Sequence, residues 1–315
     1  MSLMDNVNSV TKLAENNEVQ LMVFKTGMHD DAPFYAINVF KTREAIEANK
    51  HNLTLIPGEN KLLEGTINLR GALVPIIDLP LWLHAPLTPA EKAVSKILIC
   101  DFNGVMIGLR IAFAHRIVKK NWKDLHAPDG YSLSDDSKVV NDTRLDDGNI
   151  CLVLDYEKLL SEIMPEAMVN THDSFDMKYE NFPEKLKNGT LLIAEDSRTA
   201  QKHLTKIMER VGIKFKIFDN GKQLLDYVSE LSDPSSIPAV VTDLEMPIVS
   251  GFTVVKELRQ NSATRNIPIL INSSMTGGSN KRDAERLGAD GFVAKTKSER
   301  IVPLIVDLMR EKGFN

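Results

Sequence analysis

Apolar and polar positions fall into two regimes along this chain. In the second half, short apolar runs ended by turn or charged residues alternate with stretches of helical spacing. The runs at 190–196 (TLLIAED), 215–219 (FKIFD), 239–243 (AVVTD), 268–273 (PILINS) and 291–295 (GFVAK) read as five buried strands. Each is followed by a helical pattern. In residues 197–212, Leu204, Ile207, Met208 and Val211 fall on one face. Residues 220–231, 251–260, 277–288 and 298–313 complete the set, and Pro303 sits near the first turn of the last helix, where proline is tolerated. Five βα alternations predict an α/β domain with a parallel sheet whose strand ends share one edge.

The first half carries no such alternation. β-rich runs at 19–27 and 34–40 are separated by Gly and Asp residues as in a hairpin. Residues 42–48 read as a short helix. Residues 53–57 (LTLIP) are followed by 62–79, where two apolar runs flank Arg70-Gly71. Residues 96–122 read as two strands joined at Asn103-Gly104, a strong hairpin signal. Residues 149–163 read as a strand and then a helix. Many short strands with turn signals predict an all-β domain of barrel type. Residues 168–188, poor in long apolar runs and holding Pro183, separate the two regimes as a linker with Tyr179 and Phe182 able to dock on either side. The expected layout is a polar tail at 1–17, a β domain at 18–167, the linker at 168–188 and an α/β domain at 189–315.

A chain of 315 residues has room for two domains with ordinary cores. Its net charge of −5 gives no basic bias, so no nucleic-acid partner is expected. Cys100 and Cys151 both lie in apolar runs and read as buried thiols. The first twenty residues lack the pattern of a signal peptide, and no apolar run approaches the roughly 18 residues that cross a bilayer. A reducing cytoplasm without direct membrane insertion is the expected location.

The candidate chemistry sits at the predicted strand ends. In open α/β sheets, ligands bind outside the carboxyl ends of the strands. One strand ends in Glu195 and Asp196, another in Asp243 within AVVTDLEMPIVSG, and the others bring Ser273 and Lys295. Ser273 lies 30 residues beyond Asp243, and Lys295 lies 52 beyond it. Asp243 alone reads equally well as a helix cap. Together, three acids at one edge repel unless a cation sits among them, and an all-oxygen set suits Mg²⁺. Nothing in the first half looks catalytic: His84, His115 and His126 lack metal-ligand spacing. Arg70 reads either as a solvated turn residue or as an interface residue, since arginine is enriched in interaction hot spots.

In that order and spacing, the acid pair, the DLEMP loop, the hydroxyl, Phe292 and the lysine make residues 188–315 resemble the receiver domain of response regulators. The resemblance implies a flavodoxin-like fold with a five-stranded parallel sheet. It implies that Asp243 is the phosphoacceptor and that Glu195 and Asp196 are the metal-binding acids. Mg²⁺ would be held by Asp196, Asp243 and the backbone carbonyl of Glu245, with Glu195 acting directly or through water. Lys295 would pair with the acyl phosphate, while Ser273 and Phe292 would form the switch. The phrase EGTINLRGALVPIIDL, and the strand succession over 18–165, is similar to the chemotaxis coupling protein CheW. That implies two small SH3-like β-barrels that bind chemoreceptors and the histidine kinase CheA, with Arg70 as a candidate interaction residue. A CheW-like half joined to a receiver is the layout of the CheV family.

Some residues depart from the receiver pattern. Thr296 follows Lys295 where many receivers have a cis proline, Ser274 is larger than the usual neighbour of the switch hydroxyl, and Glu245 and Met275 flank the path of an attacking water. Glu245 and Met275 therefore predict a modified loss of the phosphoryl group, in the direction of slowing. The insert around 129–147 departs from the CheW-like pattern. The resemblance implies a non-enzymatic adaptor that couples chemoreceptors to CheA, is regulated by phosphorylation of Asp243, and reaches membrane receptor arrays through its partners. A scaffold whose receiver only drains phosphate from CheA is the alternative. An aspartyl-phosphate hydrolase with Asp243 as nucleophile and Glu245 as second acid is disfavoured by the five-strand spacing and by Glu245's neighbours.

Overall fold

Among the described residues, ten strands of the first half are shared between two mixed five-stranded sheets. The computed structural model describes residues 17–56, 60–102, 105–126, 137–164, 182–274 and 278–313. The expected Asn103-Gly104 turn, Met275, Tyr179, most of the expected tail and linker and part of the 129–147 insert lie outside these residues. The chain divides into two compact units.

In the N-terminal unit, the strands in chain order are β1 (Glu18–Lys25), β2 (Phe34–Asn38), β3 (Thr42–Glu47), β4 (Leu63–Leu69), β5 (Ala72–Ile77), β6 (Lys96–Phe102), β7 (Val105–Ile111), β8 (Phe113–Asn121), β9 (Val139–Arg144) and β10 (Ile150–Leu154). One sheet has the order β8-β1-β2-β10-β9 and the other β3-β6-β7-β5-β4. Helices α1 (Leu79–Trp82), α2 (Pro89–Val94) and α3 (Tyr156–Ile163) connect or close them. Ile67, Val74, Ile76, Ile97 and Ile99 share one buried cluster in the second sheet.

Two local expectations are corrected here. Residues 42–47 form an edge strand rather than a helix: alternate residues are exposed, and the segment pairs antiparallel with β6. The run expected as one strand from 105 to 122 is two. It breaks at Ala112, whose N–H donates to the Lys25 carbonyl at 2.9 Å, so β7 belongs to one sheet and β8 to the other. The cysteines are free and buried as expected. Burial pushes the Cys151 thiol up to about 12 and that of Cys100 higher still, so neither is a reactive thiolate.

A polar network runs through this half. Arg110 Nε lies 2.6 Å from Glu64 Oε2, with the arginine buried and the glutamate side chain 9% exposed. Lys92 bridges Glu64 at 2.6 Å and Asp78, and Asp78 Oδ1 accepts the Leu81 N–H at the start of α1. Burial pushes the Asp78 carboxyl up, but the Lys92 and Leu81 hydrogen bonds outweigh it and hold the group below the usual carboxylate range.

The C-terminal unit has β11 (Leu191–Ala194), β12 (Phe215–Phe218), β13 (Val240–Thr242), β14 (Ile269–Ser273) and β15 (Gly291–Ala294). All pairings are parallel and the order is β12-β11-β13-β14-β15. Helices α4 (Glu184–Asn188), α5 (Arg198–Val211), α6 (Gly221–Glu230), α7 (Gly251–Gln260), α8 (Gly278–Leu287) and α9 (Ile301–Glu311) intervene and flank. The face foreseen on α5 is real: Leu204, Ile207 and Met208 pack with Ile193, Val241 and Ile305 in one core. Phe182 and Leu186, inside the expected linker, are buried in the same core. This unit also takes in Asn17, Glu18 and residues 121–124 from earlier in the chain.

Removing one partner of a buried ion pair leaves a charge stranded, at a cost of about 3–5 kcal/mol. Glu64→Ala should therefore lower the opening free energy of the β7 amides by about 3 kcal/mol. Amide hydrogen exchange of the full chain measures it, and the β13 amides in the other unit should not change.

Candidate functional site

The C-terminal sheet reverses its strand order beside β11: β12 lies on one side of it and β13 on the other. Ligand sites of open α/β sheets form at such a switch point, outside the strand carboxyl ends. Glu195 and Asp196 follow β11, and Asp243 follows its neighbour β13, so parallel pairing in register brings the three acids together. One carboxylate oxygen from each lies within 4.8 Å of the other two.

Glu195 and Asp243 are almost fully buried, and two like charges in such a place repel strongly. Lys295, at the end of β15, answers that repulsion. Its Nζ is 2.8 Å from Glu195 Oε1 and 2.9 Å from Asp243 Oδ2, with only 4% of the lysine exposed. Asp243 Oδ1 accepts the Leu244 N–H at 2.6 Å. The expected acids and lysine are thus assembled as one cluster.

Ser273 closes β14 fully buried, directly opposite Ala294, while half-buried Phe292 is opposite Ile271. Side chains alternate along a strand, so register places Ser273 and Phe292 on the same face of the sheet, two residues apart. The Ser274 hydroxyl is buried and makes no hydrogen bond. Peptide bonds among the described residues are all trans, including Lys295–Thr296. Arg70 belongs to the other unit: it occupies the β4–β5 turn at φ 52°, exposed, with Nη2 at 2.9 Å from Glu44 Oε2. An exposed pair of this kind contributes little to stability.

Supporting residues were not foreseen. Gln201 Nε2 donates to the Glu195 carbonyl at 2.6 Å and to Asp219 Oδ1 at 2.9 Å, which fixes the backbone of the acid pair. The Ser298 hydroxyl donates to the Lys295 carbonyl at 2.8 Å and meets Asn272, whose side chain also donates to the Val293 carbonyl. That set fastens the turn carrying Lys295. A polar Asn272 inside the apolar run PILINS was the available signal. Gly251 matters for space: a Cβ there would lie 1.9 Å from the Asp243 carbonyl oxygen.

The donor set fits a hard divalent cation. Three carboxylates offer oxygens at one point, and Oε2 of Glu195 is buried without a hydrogen bond. Oxygen ligands of high negative charge suit Mg²⁺. Among the described residues this is the one His/Cys/Asp/Glu group so arranged, and His84, His115 and His126 belong to no such group.

Because a Cβ at position 251 would collide with the main chain of Asp243, Gly251→Ala should displace the loop. Overpacking of this kind costs about 1–3 kcal/mol. Calorimetry should show weaker Mg²⁺ binding, and exchange should show faster opening of the β13 amides.

Comparison with known proteins agrees with this geometry. Residues 20–164 match the CheW-like domain, and residues 191–305 match the response regulator receiver domain. The chemotaxis protein CheV1 of Helicobacter pylori is 36% identical over 96% of this chain and 98% of its own length. Chemotaxis protein CheV2 of the same organism is 32% identical over 92% of this chain and 95% of its own. Both halves are matched in the same order, over nearly the full length of these relatives, and the chain belongs to the CheV family of chemotaxis proteins.

Proposed function

We propose that this protein is a chemotaxis adaptor whose CheW-like half couples chemoreceptors to the histidine kinase CheA, under control of phosphorylation at Asp243. The observation that carries this reading is the Glu195–Asp196–Asp243–Lys295 cluster at the switch point of a receiver domain. In this family, that cluster shares a chain with a coupling domain. Arg70 is the candidate contact of the coupling half, exposed beside Leu73, which is 73% exposed. The adaptor would work in the cytoplasm and reach the receptor arrays through its partners. No helix among the described residues is long and apolar enough to cross a membrane.

In the proposed transfer, a carboxylate oxygen of Asp243 attacks the phosphorus of a CheA phosphohistidine. The new O–P bond forms as the N–P bond breaks, and the imidazole nitrogen keeps the electron pair and takes a proton. Such transfer needs alignment and neutralised charge more than covalent help. Mg²⁺ would be held by Asp196, Asp243 and the Glu245 carbonyl, with Glu195 direct or through water, and when bound it supplies positive charge beside the phosphoryl oxygens. Lys295 moves its share of charge from Glu195 and the Asp243 carboxylate to the acyl phosphate, as a point charge. Ser273 then donates to a phosphoryl oxygen, and Phe292, on the same face, turns into the space it leaves. The adaptor does not act by turnover. Glu245 and Met275 flank the expected path of an attacking water, so loss of the phosphoryl group should be altered, in the direction of slowing.

The test is binding to a chemoreceptor–CheA complex with and without a phosphoryl donor and Mg²⁺. Phosphorylation should shift binding or kinase activity, and Asp243→Ala should abolish the shift. Uptake of phosphate at Asp243 with binding and kinase activity unmoved would replace the regulated adaptor by a scaffold carrying a phosphate sink.

A further inference from the structure

The loop that joins Asp243 to α7 is fastened by residues outside the receiver's own span of 191–305. Ile248, in that loop, has a left-handed backbone at φ 67° and is 39% exposed. That conformation is costly for a β-branched residue, so something must hold it. The Ile248 N–H donates to the Trp122 carbonyl at 2.7 Å. The Ile248 carbonyl accepts from Asn17 Nδ2 at 2.9 Å. Asn17 Oδ1 accepts the Ser250 N–H at 3.0 Å and the Thr253 hydroxyl at 3.2 Å. The Asn17 carbonyl in turn accepts the Trp122 N–H at 2.9 Å, which ties the two clasping residues together. Asn17, Trp122 and the loop all belong to the same compact unit.

One amide side chain thus uses both its donor and its acceptor on a single loop. Asn17 sits at φ 55°, a conformation asparagine tolerates better than most residues. Ser250 caps α7, and Gly251 N–H donates to the Leu244 carbonyl at 3.1 Å. Leu244 N–H holds Asp243 Oδ1. Hydrogen bonds, linked by the Ser250–Gly251 peptide and the Leu244 backbone, therefore run from Asn17 to the carboxylate.

We propose that Asn17 is a positioning residue for the reaction at Asp243. It sets the loop between Asp243 and α7, and with it the Leu244 N–H that holds Asp243 Oδ1 and the Glu245 carbonyl assigned above to Mg²⁺ by resemblance. This rests on the reading of Asp243 as the phosphoacceptor. Trp122 contributes through its backbone, so the side chain of Asn17 is the part that substitution can remove.

Asn17→Gly in the full chain deletes the side chain while keeping a residue that adopts φ 55° without strain. Exchange of the Ile248 and Ser250 amides should quicken by about tenfold or more, with the Val240–Thr242 amides unchanged. The lifetime of a phosphoryl group loaded from acetyl phosphate with Mg²⁺ should change by about threefold or more. Asn17→Asp keeps the acceptor for Ser250 and Thr253 but loses the donor to Ile248, and should fall between. Unchanged exchange at Ile248 and Ser250 overturns the clasp. Faster exchange with an unchanged phosphoryl lifetime overturns the positioning role. If the unsubstituted protein takes up no phosphate, the reading of Asp243 has failed, and the positioning role falls with it.

Discussion

Mutual repulsion among three carboxylates is the constraint around which the C-terminal unit is built. Glu195, Asp196 and Asp243 offer oxygens within 4.8 Å of one another, two of the three residues almost out of reach of water. Burial raises the cost of every uncompensated charge there, so the arrangement stands only while a cation is held against it. Lys295 is that cation in the structure. Its place is over-determined: β15 delivers it to the edge, and Ser298 and Asn272 fasten the turn on which it rides. Strand register, the polar residue inside an apolar strand and the glycine packed on the Asp243 carbonyl all serve one end. They keep opposite charges within hydrogen-bond reach.

What was legible in the sequence follows from the same constraint. In a parallel sheet, each strand end projects to one edge, so a residue's place in the sequence pattern fixes its place in space. That is why Glu195, Asp196, Asp243, Ser273 and Lys295 were found, whereas Phe292 entered only through the resemblance and its face came from the strand register. The residues that position them left a weaker trace. Gln201 and Ser298 are ordinary polar residues on a helical pattern, and only their partners distinguish them. The β half was legible in kind but not in detail. TREAIE mixes charge with alternation, and at six residues the periods of helix and strand are hard to separate. The break at Ala112 carries no turn residue at all. It exists because the chain changes sheets there, a tertiary event that local pattern does not record. Phe182 and Leu186 were hidden for a similar reason: two apolar residues in a polar stretch say that something docks, not where.

The clasp by Asn17 and Trp122 was invisible for another reason. Asn17 lies 226 positions before Asp243, and one of its partners is a main-chain carbonyl that any residue would offer. No motif could announce it.

These two kinds of control act on one loop. A phosphoryl group on Asp243 would replace a single negative charge by about two and add strong acceptors. Lys295, now shared between Glu195 and Asp243, would have to redistribute its hydrogen bonds. The backbone best placed to respond is the one that already touches the carboxylate, Leu244 and then Glu245. Beyond them the chain meets Ile248, whose left-handed conformation is held from outside the strand–helix scaffold. A segment under strain, with one end on a changing charge and the other on a removable side chain, has two ways to relax. Charge at Asp243 and hydrogen bonds at Asn17 therefore compete for or reinforce the same geometry, and any free energy that links them must act equally in both directions.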